Sequence, residues 1–109
     1  MTTTLPKDGD GEAIQALRPS GAAHAISVTA ASARNGAAFS SSTRVVALYA
    51  TGAVYLKFGE GSVTASSSDH YFPSGVYHVF SLGGKVTRAT HIAALRVSTD
   101  CTLYISELE

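Results

Sequence analysis

The chain has 109 residues and a mass of 11.2 kDa, with eight Lys and Arg balancing eight Asp and Glu and a pI near 6.9. That length holds one domain, because two halves would each be too small to bury a core, and the balanced charge leaves no basic excess for nucleic acid or an anionic membrane surface. A single cysteine, Cys101, excludes an internal disulfide framework or thiolate metal cluster, and the absence of a bilayer-length apolar run or a signal-peptide core sets the expectation of a soluble compartment.

Residues 1–22 read as an N-terminal arm, with Pro6, Pro19 and "KDGDGE" supplying breakers and charge without apolar alternation. Within it "GEAIQALR" places Ala13, Ile14 and Leu17 on one face of about two helical turns, a length that is marginal alone. Fully extended, the arm spans roughly 70 Å. Residues 23–109 read as a β domain. "HAISVTAAS" sets Ile26 and Val28 against Ala25, Ser27 and Thr29, the period of a strand with one buried face. Asn35-Gly36 signals a turn. "TRVVALYA" is apolar on both faces, as in a strand held between two layers. Thr51-Gly52 then predicts a tight hairpin into "AVYLKFG", where Val54, Leu56 and Phe58 alternate with Tyr55 and Lys57.

"SVTASS" is a candidate edge strand, and "DHYFPSG" a corner loop shaped by Pro73 and Gly75. "VYHVFSL", "THIAALRVS" and "TLYISELE" resume the alternation, the last with Leu103 and Ile105 on one side. Turn signals at intervals of about eight to twelve residues predict an all-β fold, an antiparallel β-sandwich or jelly-roll-like barrel of six to eight short strands behind an extended arm.

Few residues carry chemistry. His24, His70, His78 and His91 lack HxH or HxxxH ligand spacing, and are read as hydrogen-bonded, partly exposed imidazoles rather than metal ligands. Ser68, Asp69 and His70 are consecutive, and neighbours on an extended chain point to opposite sides, so they do not constitute a triad. Glu60, Asp69, Asp100, Glu107 and Glu109 fall in turns or at the terminus, where a solvated role is expected. "DGDGE" lacks the spacing of a calcium loop. No catalytic, cofactor or metal site is assigned, and enzyme function is not expected. The aromatic residues Tyr55, Tyr71, Phe72, Tyr77 and Tyr104 suit a protein interface or a sugar platform. The candidate interface residues are Leu5, Ile14 and Leu17 in the arm with Tyr71, Phe72 and Tyr77 in the domain, and "SDHYFPSG" is taken as an interface loop.

Residues 43–109 resemble a type of small β-protein of tailed bacteriophages and gene-transfer-agent-like particles. The resemblance lies in Phe58-Gly59, Val63-Thr64-Ala65, Pro73-Ser74-Gly75 and Ser106-Glu107-Leu108, which are strand and turn motifs rather than catalytic ones. It implies a virion structural protein, made in the host cytoplasm and carried on the particle, of the head decoration or cement type. Its implied partners are the major capsid protein or neighbouring virion proteins, with further copies of itself, a trimer being the assembly that suits a three-fold capsid site. A tail or fibre module that binds a receptor or carbohydrate is the alternative.

Overall fold

A computed structural model of the chain describes residues 17–84 and 88–108. Those residues form eight β-strands and no helix: β1 (Pro19–Val28), β2 (Ala33–Arg34), β3 (Val45–Ala50), β4 (Val54–Gly59), β5 (His70–Phe72), β6 (Tyr77–Ser81), β7 (His91–Arg96) and β8 (Cys101–Leu108). They make two four-stranded antiparallel sheets, in the orders β1-β8-β3-β6 and β2-β7-β4-β5. The pairings β1 with β8, β2 with β7, β3 with β6 and β4 with β5 describe a ribbon folded in half and then rolled, which is the jelly-roll form of the sandwich. The expected all-β sandwich is therefore observed.

Alternation explains which side of each strand faces the core. Ile26 and Val28, Val46, Leu48 and Ala50, Val54 and Leu56, Ile92 and Ala94, and Leu103 and Ile105 are buried between the sheets, as a period of two requires. Phe39, Phe72 and Leu82 complete the core from connections and edges. Buried polar groups are paired. Asn35 Nδ2 donates to Ala37 O at 2.6 Å while its Oδ1 accepts from Ile92 N at 2.9 Å, so the predicted Asn35-Gly36 turn is pinned to the core.

Three expectations need correction. The step at Thr51-Gly52 is a crossing between sheets and not a hairpin, because both edges of β3 are already occupied by β6 and β8 and β4 must pair elsewhere, with β5 and β7. β1 itself starts at Pro19, among the last residues of the expected arm, and Pro19 pairs with Leu108 before an irregularity in register that ends at Ala23. "SVTASS" is not a strand, and the predicted corner loop instead carries β5. The helical reading of 11–18 falls almost wholly outside the described residues, as do "KDGDGE", Leu5 and Ile14.

The crossing at Gly52 is tight. A Cβ there would lie 2.8 Å from Cys101 Cβ and 3.2 Å from its Sγ. Gly52→Ala is expected to cost about 1–3 kcal/mol by overpacking, read from denaturant midpoints. The loss should persist with Cys101→Ala, because the closest atom is the Cβ that alanine retains.

Candidate functional site

The outer face of the β1-β8-β3-β6 sheet carries the most exposed aromatic surface. Antiparallel register places Tyr104 beside Tyr49, and Tyr49 beside Tyr77, so three tyrosines stand in one row across β8, β3 and β6. They are 50%, 39% and 61% exposed, too much for core residues. Ala25 continues the row on β1, and the next row toward the strand ends is Ala23, Ser106, Ala47 and Val79. No Asp, Glu, Lys or Arg occupies an outward position of this sheet between 23–27, 45–49, 77–81 or 102–106. Depletion of charge with enrichment in tyrosine is the compositional mark of an interface centre.

The opposite sheet differs. Tyr55 and Tyr71 face outward in register and meet edge to face, with ring centroids 6.2 Å apart at 71°, and Leu95 pairs with Tyr55 on the other side. Lys57 and Arg34 stand in the next row, so this face carries positive charge. Between β5 and β6, each an edge strand among the described residues, lies a cavity of about 680 Å³. Its floor is Leu56, Phe58, Phe72, Phe80 and Leu82, and Glu60, His70 and Arg88 stand among the residues around it. Phe80 links the sheets, 5.6 Å from Phe58 and 6.0 Å from Phe72.

The predicted interface residues are thus dispersed. Tyr71 and Tyr77 are both 61% exposed but belong to different sheets, and Leu17, 52% exposed, precedes β1. Phe72 is corrected from interface to core: it is 4% exposed, because on β5 it must point inward if its neighbour Tyr71 points out. Tyr104 and Tyr55 are outward as an interface reading needs, whereas Tyr49 was hidden from sequence reasoning by its place in an apolar strand.

Several titratable groups have structural partners. Asp69 Oδ2 accepts from Ser66 N at 2.6 Å and from Ser66 Oγ at 3.2 Å, and the backbone N–H bond foremost holds its carboxyl below the ordinary 3.8. The serine run before it is therefore a capped turn. Cys101 Sγ lies 3.6 Å from Gly52 O, and burial pushes its thiol up, the environment of an inert packing cysteine. His91 Nδ1 pairs with Thr90 Oγ1 at 2.9 Å, and His78 lies against Phe80 with ring centroids 4.6 Å apart. Among the described residues no three His, Cys, Asp or Glu side chains come together as a metal-binding group.

Glu107 is the exception to the solvated reading of the carboxylates. It is 1% exposed on the inner face of β8. Oε1 accepts from Thr43 Oγ1 at 2.5 Å and from Ser40 N at 2.9 Å, and Oε2 lies 2.8 Å from His24 Nε2. Burial pushes its carboxyl up, but the bonds from Thr43, His24 and Ser40 outweigh that and hold it below the ordinary 4.5. Arg88 Nη1 donates to the carbonyls of Ser40 and Thr43 from the other side. The His24 ring also meets Phe39 edge to face at 5.1 Å. The cluster ties β1, β8 and the β2–β3 connection together, and its polar atoms are consumed in that role.

No family model matches the chain, and no curated protein matches it. Among solved structures, a chain of the Bacillus endospore appendages, described as a novel family of disulfide-linked pili, is 18% identical with a TM-score of 0.45. The match covers 98% of this chain and 100% of that one. A likeness at that level carries no inference about function.

Proposed function

We propose that the chain is a non-enzymatic structural protein of a phage particle, a capsid decoration protein that binds across neighbouring capsid subunits on the head surface and associates with further copies of itself. The observation that carries this reading is the uncharged Tyr104–Tyr49–Tyr77 face, a flat surface suited to another protein surface rather than to a small ligand, together with the resemblance of residues 43–109. Each contact need bury only about 800 Å² per partner, because repetition over a lattice supplies avidity. The test is binding of the purified protein to expanded capsid shells that lack it, followed by co-sedimentation. Saturable binding at a fixed copy number per capsomer is the expected result; a protein that stays in the supernatant at every concentration removes the reading.

The exposed Tyr55–Tyr71 pair close to an aromatic cavity favours a second reading, a tail or fibre component that binds a receptor or carbohydrate. Aromatic rings facing solvent in the single chain suit stacking on a sugar ring. Retention on a glycan array that is lost in Tyr55→Ser/Tyr71→Ser would move the assignment there.

A further inference from the structure

Among the described residues four edge strands bound the two sheets, and β6 is built differently from the others. β2 is two residues long and carries Arg34, β5 is three residues set between Asp69 and Pro73, and β1 carries Pro19 and an irregular register. Short length, charge, proline and irregularity are the devices that keep edges from pairing. β6 has five residues and none of these devices, and residues 70–84 around it contain no Lys, Arg, Asp or Glu. Val76, Tyr77 and Val79 are three of the eight large apolar or tyrosine side chains that stand exposed among the described residues. His78 lies opposite the buried Leu48 in the ladder and so takes an inward position, yet it is exposed. The opposite sheet therefore leaves this edge uncovered.

We infer that β6 pairs antiparallel with β6 of a second copy of this chain, across a two-fold axis at Val79. Hydrogen-bond parity selects that register. Leu82 N donates to Arg44 O, so in the ladder that runs back from it the amides of Phe80 and His78 face β3, and those of Tyr77, Val79 and Ser81 face away. Centring the pair on Val79 sets Tyr77 against Ser81 of the copy, Val79 against Val79, and Ser81 against Tyr77. Every outward group of the strand is then bonded, and a shift of register leaves some unmade. Between these pairs His78 of each copy meets Phe80 of the other on the inner side, in the closer kind of antiparallel pair. A two-fold contact sets each residue at the axis against its own kind, so a charge there would repel itself, and the uncharged run 70–84 is what a second copy requires. The two sheets join into one whose outer side carries both tyrosine rows. The contact makes dimers, not the trimer that the resemblance implies.

This deepens the reading above, and rests on it, only in naming the contact between copies, and its test needs no shells. Light scattering and amide hydrogen exchange are measured on the full chain over a concentration series. A ladder this short is small for a specific interface, so a Kd between about 10 µM and 1 mM is expected. As the dimer forms, the amides of Tyr77, Val79 and Ser81 slow by about tenfold, while those of His78 and Phe80, already bonded to β3, change far less. Full-length Val79→Lys and Val79→Glu are each expected to stay monomeric with an unchanged Tm, and their equimolar mixture to associate. A wild type still monomeric at about 1 mM overturns the inference, as does association that both variants retain or a mixture that stays monomeric. The exchange measurement needs no variant. Protection of β6 that ignores concentration, or that arises together with protection in residues 1–16, gives the edge to an N-terminal segment and likewise ends the inference. Attachment to shells through the tyrosine face is decided separately by its own assay.

Discussion

Replacing Glu107 by alanine is expected to lower the free energy of unfolding by about 3 kcal/mol. The substitution strands the Thr43 hydroxyl, the Ser40 N–H and the His24 ring nitrogen in a site where water has little access. Glu107→Gln keeps the shape and one accepting oxygen, so its loss should be nearer 1 kcal/mol. The two variants also separate by pH. Because the carboxyl is held below 4.5 in the fold, the unfolded chain takes up the proton first as pH falls. The stabilisation is present above the ordinary value and is lost as pH drops through the folded one. Wild type should therefore lose stability below about pH 4.5 more steeply than Glu107→Gln. Urea melts between acidic and neutral pH check both statements, and an alanine variant within 0.5 kcal/mol of wild type, or parallel acid slopes, would remove Glu107 from the centre of the fold.

The second large effect is expected at the tyrosine row. Tyr49→Ser/Tyr77→Ser/Tyr104→Ser should weaken attachment to capsid shells by at least about a hundredfold, since two buried interface anchors at roughly 1.4 kcal/mol each suffice for that factor. Stability should change little, because the rings are exposed and touch the sheet only on one side. Tyr55→Ser/Tyr71→Ser on the opposite sheet is the control and should bind like wild type. Loss confined to the control pair would transfer the docking role to the other face. Unaltered binding in both variants would end the role of exposed tyrosine in attachment.

The strand content was legible because it is local. Ile26 and Val28, Val54 and Leu56, and Leu103 and Ile105 each follow their neighbours by two, and that period alone orients a strand. Even the error at Phe72 was recoverable: parity makes either Tyr71 or Phe72 the outward residue, never both. What the chain order conceals is pairing. Thr51-Gly52 has the composition of a hairpin turn, and only the prior capture of β3 by β6 and β8 turns it into a crossing. The role of Glu107 was hidden for the same reason. Its partners lie 64, 67 and 83 residues away, and a carboxylate near the end of a sequence reads as solvated until those partners converge. Tyr49, Tyr77 and Tyr104 likewise form a row only through the ladder that aligns them.

The position of β8 bears on how the chain is made. β8 is an inner member of its sheet, hydrogen-bonded to β1 on one side and β3 on the other. β1 therefore waits through the synthesis of more than seventy residues for β8, and β3 has only β6 as a sheet partner until β8 follows; closing loops of such length is slow. Until then β1 and one edge of β3 stand open to other nascent chains, so yield during synthesis should depend on how soon residues 101–108 are made and docked.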